Sequence, residues 1–450
     1  MTDFYTAFAS RVLFPLHERL KGHDTVAVRR ELEKTQWWSR EQLESLRLAR
    51  LHRLLDRAAR SVPYYRDLFR REGFDPGAVK SLTDLARLPL LTKADIRAHP
   101  EALKASDAQR LSRFNTGGSS GEPLIFYVGR ERISHDVAAK WRATRWWGVD
   151  IGDPEIVVWG SPIELTRQDR LRALRDRLLR THLLPAFEMS ETRLDEFLVT
   201  IRRVRPRMLF GYPSSLALVA RHAEKRKVAM DDLGIRVAFV TSERLYDEQR
   251  TIISRVFGCP VANGYGGRDA GFIAHECPQG GMHIMVEDII VEIVSPDGRV
   301  LPAGEAGEIV VTHLATGDFP FIRYRTGDVG VLDDRPCPCG RGLPLLREIQ
   351  GRTTDFVVAR DGTVMHGLAL IYVVRDVPGV EQFKIVQESR ELTRVFLVTG
   401  PNFAEGALET IRAGLVRRLG EGVTIAIERV QEIPREASGK YRYIVSKVAP

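Results

Sequence analysis

The sequence predicts an α/β protein in which a large N-terminal domain, residues 1–350, is followed by a small, mobile α+β domain, residues 351–450. Three observations lead to this prediction. A chain of 450 residues exceeds the length at which a single hydrophobic core usually stops growing. Helical periodicity fills residues 1–110, whereas short apolar runs alternate with helical patterns from Phe114 onward. Hairpin signals and a second compact α+β pattern then follow.

Each group of elements has its own sequence signal. Apolar residues at helical spacing, with few turn residues between them, predict N-terminal helices over residues 25–32, 40–59 and 63–72. Runs of β-branched and apolar residues predict parallel strands of a wound sheet over residues 156–159, 208–210 and 237–240, with a helix over 214–225. The middle of the chain should therefore be an α/β sheet.

The pattern after Cys259 is typical of a β-meander. Residues 288–294 and 308–312 predict two strands, and the Ser-Pro-Asp-Gly turn at residues 295–298 predicts a hairpin. The C-terminal domain should fold around its own core, with a helix and four strands over residues 405–419, 355–359, 383–387, 392–398 and 423–428.

Charge and composition exclude several classes of protein. The 67 basic and 59 acidic residues leave a net charge of +8, and a hydrophobic content of 44% is typical of a globular chain. No run approaches the roughly 20 apolar residues that cross a bilayer, so we expect a cytoplasmic protein without stable membrane insertion. Arg-rich residues 167–180 also place leucines at helical spacing, which favours a solvated amphipathic helix over a nucleic-acid or membrane site.

The first 20 residues carry a second surface pattern. Tyr5, Phe8, Val12 and Leu13 form one apolar stripe if the segment is a helix that ends before Pro15. Packing of this stripe against the protein's own core is the favoured interpretation. Weak peripheral contact with a membrane is the alternative.

A loop at residues 116–123 is rich in glycine and hydroxyl side chains and leads into a predicted strand. Glycines free the backbone N–H groups to surround an anion, and the hydroxyls can donate to phosphate oxygens. The Gly-Lys-Ser/Thr of a Walker loop is absent, so the motif by itself is only a turn that suits phosphate. Its candidate residues are Thr116, Gly117, Gly118, Ser119, Ser120 and Gly121.

Four further motifs follow this loop in order, namely Gly-Tyr-Gly-Gly-Arg-Asp (264–269), Arg-Tyr-Arg-Thr-Gly-Asp (323–328), Gly-Arg-Thr-Thr-Asp (351–355) and Pro-Arg-Glu-Ala-Ser-Gly-Lys (434–440). With the first loop, they resemble the ordered core motifs of adenylate-forming enzymes. The match is strongest to phenylacetate-CoA ligases and their capsule-locus (CapK-like) relatives. Each motif is weak alone, but five in register make a specific signal.

The resemblance implies where a nucleotide would bind. The loop at residues 116–121 would hold the β- and γ-phosphates of ATP, and Tyr265, followed by Gly266, would stack on the adenine. Asp328 would accept hydrogen bonds from the ribose hydroxyls. Ser242 and Glu243 would line the adenine pocket.

The resemblance also implies the catalytic groups. Asp269 would meet Mg²⁺, although the family usually has Glu there, and Arg352 would lie near the ribose and phosphate. Lys440 on the mobile domain would bridge the substrate carboxylate and the α-phosphate. This allocation agrees with the chemistry, because joining two anions requires cations near the phosphate oxygens. The sequence departs from the family pattern at three positions. Glu122 stands where related loops usually carry Lys, Gly117 replaces a frequent Ser or Thr, and Thr354 stands where many relatives have the hinge Asp.

Three cysteines lie in turns rich in Pro and Gly, and one histidine lies near them in sequence. Thiolates together with an imidazole select Zn²⁺ in a tetrahedral site, and some relatives resemble this chain in having a structural zinc here. The alternative is a group of reduced, buried thiols. His275 is a rival ligand, and Cys259 is expected to be a core residue. The candidate ligands are Cys277, His283, Cys337 and Cys339.

The motifs together predict an AMP-forming ligase that activates a small carboxylic acid with ATP and transfers the acyl group to a thiol. The resemblance makes coenzyme A the default acceptor, with an amine, a sugar or a carrier protein as alternatives. Aromatic residues within 141–147, 210–215 and 263–265 favour an aryl acid. A basic, non-catalytic binding protein regulated by nucleotide is the alternative from another class. Relatives are often homodimers.

Overall fold

The computed structural model describes residues 3–115, 124–159, 170–186, 189, 191–352, 356–362, 364–366, 368–434 and 442–448. The chain divides into two compact units, of which the first is built mainly from Met1–Ile349 and the second begins at Gln350. The predicted class is confirmed. The first unit is a mixed α/β structure with a helical N-terminal region and one large sheet, and the second has its own α/β fold.

The helices agree closely with the predicted ones. Helix α4, for example, begins at a capping box in which the Gln42 N–H donates to Ser39 Oγ and the Ser39 N–H donates to Gln42 Oε1. A π-turn over Ala9–Leu13 lies between α1 and α2. The helices are α1 (Phe4–Phe8), α2 (Phe14–Lys21), α3 (Thr25–Thr35), α4 (Arg40–Ser61), α5 (Pro63–Arg71), α6 (Lys93–Ala98), α7 (Arg130–Trp146), α8 (Arg170–Leu178), α9 (Glu191–Val204), α10 (Pro213–Lys225), α11 (Asp247–Phe257), α12 (Leu368–Arg375) and α13 (Ala407–Leu419).

The strands form two hairpins and two larger sheets. In the first unit, 11 strands form one sheet in the order β10-β11-β12-β13-β9-β8-β7-β6-β5-β3-β4. The strands are β1 (Ser112–Asn115), β2 (Ile125–Val128), β3 (Glu155–Trp159), β4 (Thr181–Pro185), β5 (Met208–Gly211), β6 (Val237–Thr241), β7 (Val261–Gly267), β8 (Gly271–Glu276), β9 (Met282–Ile284), β10 (Ile289–Val294), β11 (Ala306–His313), β12 (Tyr324–Asp333), β13 (Leu345–Arg352), β14 (Phe356–Val358), β15 (Val364–His366), β16 (Val380–Gln387), β17 (Leu392–Thr399), β18 (Thr424–Arg429) and β19 (Ile444–Ser446).

The 11-stranded sheet changes from parallel to antiparallel at β7. Strands β3 to β7 pair in parallel, and β7 pairs antiparallel with β8. The predicted meander therefore begins one strand later than Cys259 suggested. The reason is that β7 follows the crossover helix α11, which returns the chain to the same end of the sheet before a hairpin becomes possible.

The parallel strands are buried on both faces. All five residues of β6 are buried, and they alternate between two hydrophobic clusters. Ala238 and Val240 pack in the cluster of α9, α10 and α11, while Val237 and Phe239 pack in a cluster with Ala143 of α7. Alternation with a period of two therefore places helices on both faces of the sheet, as doubly wound folds require.

The second unit is a four-stranded sheet in the order β18-β17-β16-β19, with the β14–β15 hairpin beside it in sequence. Strands β16 and β17 are antiparallel, and β18 and β19 pair in parallel with their neighbours. Val374 of α12 and Leu415 of α13 pack with Ile385 and Val395 in one buried cluster. This unit therefore has its own hydrophobic core.

The N-terminal segment differs from its prediction in two ways. The helical turns continue through Pro15 to Lys21, and Phe8 and Val12 are exposed instead of packing on the core. Polar residues take part in the inward face because they find partners there. Thr6 Oγ1 donates to Asp153 Oδ1 over 2.9 Å, and the buried Glu18 accepts from Thr25. Among the described residues, no helix combines the length and the apolar character that crossing a bilayer requires.

A buried cluster joins two helices of the first unit, α4 and α7, to the start of strand β10. Asp288 Oδ1 lies 2.6 Å from His135 Nδ1 and 2.7 Å from Arg50 Nη1. Burial opposes the charged form of His135, but the charge of Asp288 and the hydrogen bond to it outweigh that effect, so the pKa of His135 is raised. Because the folded-state pKa lies above the unfolded value, this stabilisation is complete below about pH 6.5 and is lost as the pH rises through the raised value.

We therefore expect His135 to stabilise the first unit at pH 6 and to lose this contribution as the pH rises to 9, so the difference in free energy of unfolding between the wild type and His135→Gln should shrink over this range. Tryptophan fluorescence during urea unfolding measures it, since all six tryptophans belong to that unit. His52→Gln on α4, which lies outside this cluster, is the control variant and should not show this change in its difference from the wild type. A difference between the wild type and His135→Gln that stays constant over this range would contradict the assignment.

Candidate functional site

The structure describes about half of the predicted site. Residues 116–121 and Lys440 lie outside the described residues, and Arg352 is described only as the last residue of β13, without its side chain. The predicted residues Ser242, Glu243, Tyr265, Gly266, Asp269 and Asp328 are all described, as are the four candidate metal ligands.

The carboxyl ends of the parallel strands form the edge at which the candidate site lies. In open α/β sheets, ligands bind in the crevice outside these ends. Directly after β6, Ser242 adopts φ 70°, a left-handed conformation that non-glycine residues seldom take. Glu243 Oε2 accepts a hydrogen bond of 3.2 Å from the N–H of Ser214 at the start of α10. This carboxylate thereby stabilises a helix N terminus and ties two neighbouring loops together.

Tyr265 and Asp328 form the first pair of the site. The Tyr265 hydroxyl donates to Asp328 Oδ2 over 2.9 Å, although the residues lie on β7 and β12. Three strands separate β7 from β12 in the sheet, which would place them roughly 19 Å apart if the sheet were flat. The sheet therefore curves strongly and brings the two motifs together.

Asp269 and Tyr324 form the second pair. The Tyr324 hydroxyl donates to Asp269 Oδ2 over 2.6 Å, and the Ala270 N–H donates to Asp269 Oδ1 over 3.1 Å. The fully buried Arg132 of α7 donates to the carbonyl oxygens of Arg268 and Asp269, at 3.2 Å and 2.9 Å. The turn that carries Asp269 is thus fixed from both the side chain and the backbone.

The two residues that position Asp269 were not predicted from the sequence. Tyr324 lies inside the motif at residues 323–328, and this position was a sequence signal for a role in the site. Arg132 lies on α7 outside every motif, and its ordinary helical context gave no such signal.

Gly266 has a steric reason to be glycine. A Cβ atom at this position would lie 2.3 Å from the carbonyl oxygen of Gly271 on the facing strand β8. A register shift between Tyr265 and Gly266 accompanies this close approach. The bulge places Tyr265 and Asp269 at the end of one tight hairpin.

Aromatic rings extend from the same edge into the sheet. Trp159 stacks on Tyr212 with ring centroids 4.3 Å apart, and Phe210 lies next in the series at 5.7 Å from Trp159. Of the tryptophans predicted to line an acid pocket, Trp147 packs with the Phe210 cluster, whereas Trp141 is buried against Phe14. Tyr212 belongs to residues 210–215, which were predicted to line the acid pocket, whereas Trp159 was not among the residues predicted to line it.

The four candidate metal ligands converge in the first unit. All their ligand atoms lie within 4.8 Å of one another. Cys277 Sγ and Cys337 Sγ are 3.7 Å apart, and His283 Nε2 is 3.2 Å from Cys339 Sγ. Four ligands at Zn–S distances of about 2.3 Å would place two sulfur atoms about 3.8 Å apart in a tetrahedron, so the donor set and its spacing fit zinc.

The surroundings of the cluster orient its histidine. The carbonyl oxygen of Leu343 lies 3.1 Å from His283 Nδ1, and a proton on Nδ1 would leave Nε2 as the donor atom. Burial lowers the pKa of His283 to about 4, so the ring is neutral at pH 7. The rival His275 is fully buried and stacks on Phe272 with centroids 5.4 Å apart, outside this cluster. Cys259 is a core residue, as predicted.

Two protein families and several curated proteins are similar to this chain in sequence. The family described as AMP-binding enzyme matches residues 180–316, and the CapK C-terminal domain matches residues 357–447. A phenylacetate-coenzyme A ligase of Thermus thermophilus is 26% identical over 437 residues, which cover 90% of this chain and 97% of the relative. Protein CapK of Staphylococcus aureus is 23% identical over 389 residues, which cover 86% of this chain and 85% of the relative.

A solved structure shows the same fold. It is 2-hydroxyisobutyryl-CoA ligase in the postadenylation state, with a TM-score of 0.72 and 23% identity over 92% of each chain. The chain therefore has the fold of this ligase, and residues 180–316 match the AMP-binding enzyme family. The family matches are thus to AMP-binding enzymes and to the CapK C-terminal domain, and over most of its length the chain is similar to phenylacetate-coenzyme A ligases and to CapK.

Proposed function

We propose that this protein activates a carboxylic acid with ATP and transfers the acyl group to the thiol of coenzyme A. A carboxylate oxygen attacks the α-phosphorus, and the bond to pyrophosphate breaks. The thiol sulfur then attacks the acyl carbon, the bond to AMP breaks, and the thiol proton passes to solvent. The observation that supports this proposal best is the pairing of Tyr265 with Asp328 and of Tyr324 with Asp269 at one edge of the sheet.

The nucleotide would be held by the hairpin and the loops beside it. Tyr265 would lie against the adenine, with its ring fixed through the hydroxyl by Asp328. A carboxylate accepts several hydrogen bonds, so Asp328 can receive ribose hydroxyls as well as the tyrosine. Ser242 and Glu243 would border the adenine, and residues 116–121 would surround the β- and γ-phosphates.

The charged groups would act on the phosphates. Asp269, held on a fixed turn, is suited to bind Mg²⁺, which neutralises phosphate charge when it is present. Arg352 would contact the ribose and phosphate, and Lys440 would stabilise the charge that builds up on the α-phosphate. Tyr324 is a positioning residue, because it acts on the phosphates only through Asp269.

The Tyr324→Phe variant tests this positioning role. Loss of a hydrogen bond to a charged carboxylate costs about 1.5 kcal/mol, so we expect kcat/KM for ATP to fall roughly tenfold. The Mg²⁺ concentration needed for half-maximal rate should rise in parallel, which a merely structural defect would not cause. Tyr64→Phe on α5 is the control and should leave both values unchanged. A Tyr324→Phe enzyme with wild-type Mg²⁺ dependence would contradict the role.

Pyrophosphate exchange against a panel of acids tests the reaction itself. We expect ATP-dependent exchange with one class of acid, and the Asp328→Asn variant should show a strongly raised KM for ATP. The exposed turn variant Asp297→Asn serves as control. Binding of ATP without exchange for any acid would instead support a nucleotide-regulated binding protein.

The acyl side of the site favours a flat acid. The Trp159–Tyr212 stack and the neighbouring Phe210 offer aromatic surface at the carboxyl edge of the sheet. The panel should therefore compare aryl acids with aliphatic acids of equal length. Selection of the aliphatic acids would argue against this pocket.

An amine, sugar or carrier protein is the second candidate acceptor. It is favoured by the match of residues 357–447 to the CapK C-terminal domain. Supplying the acyl-adenylate with coenzyme A or with amines and sugars distinguishes the two candidates. Faster formation of an amide or ester than of the thioester would select the second.

The cysteine and histidine cluster is proposed to hold a structural zinc ion. Four protein ligands complete a tetrahedral site, so no position would remain for a reacting water molecule. The four ligands come from the β8–β9 hairpin and from the loop before β13. Such a site would cross-link two segments that are 60 residues apart at Cys277 and Cys337.

A further inference from the structure

The N-terminal helices carry an apolar stripe on the outside of the protein. The stripe consists of Phe4, Phe8, Val12, Leu16 and Leu20, which are exposed by between 41% and 87%. In a regular α-helix, side chains at every fourth position turn gradually away from a common face. The π-helical turn at Ala9–Leu13 has more residues per turn, which keeps the five stripe side chains closer to one face. Exposed apolar side chains in one row are unfavourable in water and indicate a contact surface.

Helix α8 extends this stripe. Leu174 and Leu178 are exposed by 54% and 42%, and the Tyr5 hydroxyl donates to the carbonyl oxygen of Leu178 over 2.9 Å. The five stripe residues and these two leucines are here named the N-terminal apolar face. The face holds seven of the twelve large apolar side chains that are exposed in the described part of the chain, so the exposure is concentrated and not scattered.

Basic residues surround the N-terminal apolar face. Arg11, Arg19, Lys21 and Arg177 are exposed on the helices that form it. The acidic residues described on α2 and α8, and Asp3 at the cap of α1, already have partners. Asp3 pairs with Arg180 at 2.6 Å, Asp176 pairs with Arg175, and Glu18 is buried among hydrogen-bond donors.

The two parts of this face lie side by side. Burial lowers the pKa of His17 on α2, and the positive charges of Lys21 and of Arg175 on α8 lower it further. The guanidinium of Arg180, which follows α8, lies 4.2 Å from the centre of the Tyr5 ring on α1, so α8 and the residue after it border the same surface. The net character of the surface is therefore apolar in the middle and cationic at the rim.

We propose that the N-terminal apolar face binds the surface of a bilayer that contains anionic lipids. Leucine, valine and phenylalanine side chains would enter the boundary between headgroups and acyl chains, and the arginines would contact the lipid phosphates. A second copy of the chain is the rival occupant. In a twofold dimer this face would meet itself and bring its arginines together, whereas an anionic surface complements them.

Vesicle sedimentation of the full chain tests the proposal. We expect binding to vesicles of phosphatidylcholine with about 40% phosphatidylglycerol, weak binding to pure phosphatidylcholine, and release as NaCl is raised through the range in which surface charges are screened. The Leu16→Ser/Leu20→Ser variant should lower the partition coefficient roughly tenfold or more, since both side chains would leave the lipid. Arg11→Gln/Arg19→Gln should reduce binding to anionic vesicles by a similar factor.

Val199→Ser on α9 is the matched control, because Val199 is 66% exposed and lies outside the N-terminal apolar face. It should bind vesicles as the wild type does. Pyrophosphate exchange in solution should be unchanged in all these variants, which shows that they are folded. Equal binding of the wild type and Leu16→Ser/Leu20→Ser would overturn the proposal. So would a dimer in vesicle-free sedimentation that the same double variant dissociates, since the face would then belong to a second copy.

Discussion

Replacement of Lys440 by alanine is expected to lower the rate of acyl-adenylate formation by a factor on the order of 10² to 10³. The reason is electrostatic. Attack of a carboxylate on the α-phosphate increases negative charge where two anions already meet, and a lysine ammonium stabilises that charge in the transition state more than in the ground state. Pyrophosphate exchange measures this half-reaction directly, and KM for ATP should change little.

The second half-reaction provides an internal control for that variant. Thioester formation from a supplied acyl-adenylate does not build charge by joining two anions, so Lys440→Ala should retain most of it. Lys447→Ala is the matched lysine control, since its ammonium pairs with Glu388 in the second unit. Full exchange activity in Lys440→Ala would remove the lysine from the proposed mechanism. Loss of both half-reactions would indicate damage to the domain instead.

Replacement of Cys337 by serine is expected to abolish zinc binding and to destabilise the first unit by at least about 3 kcal/mol. The thiolate is one of four converging ligands, and a site with three ligands binds the metal far more weakly. Because the ion would bind the folded state and not the unfolded one, its binding free energy contributes to folding. Metal analysis and urea unfolding followed by tryptophan fluorescence measure the two effects.

Cys259→Ala separates the metal effect from the loss of any buried thiol. Cys259 is buried in the cluster of α9, α10 and α11, so this variant should lose some stability but keep one zinc ion per chain. A strong chelator should destabilise the wild type and Cys259→Ala, and it should leave Cys337→Ser unaffected. Purified wild-type protein that contains no zinc and is insensitive to the chelator would show that the four residues are simply reduced thiols and a neutral histidine.

The order of elements was predictable because local pattern determines it. Helix α4 has a capping box and a continuous helical periodicity, and β6 is a short apolar run that only a strand buried on both faces explains. Hairpins were predictable for the same reason, as the Ser-Pro-Asp-Gly turn before Arg299 shows. The candidate site was recognised from ordered motifs, and two of these motifs, those of Tyr265 and Asp328, meet in the structure.

Local sequence pattern did not predict which helix face is exposed or which distant residues meet. The sequence shows that Phe8 and Val12 share a helix face, but hydrogen bonds of Thr6 and Glu18 to partners elsewhere decide that this face points outward. Likewise, Arg132 donates a hydrogen bond to the carbonyl oxygen of Asp269, which lies 137 residues further along the chain. No local sequence pattern indicates a contact over that separation.

The amino-acid sequence by itself determined the fold class, the order of helices and strands, and the set of residue types suited to nucleotide chemistry. These follow from periodicity, turn residues and motif order, all of which are local properties of the chain. Only the tertiary structure decided which of those residues meet. The strong curvature of the sheet brings β7 to β12 and pairs tyrosines with aspartates, and the β8–β9 hairpin together with the loop before β13 brings three cysteines to one histidine. Such contacts depend on long-range packing, in which many weak interactions act together and none is readable in its own segment.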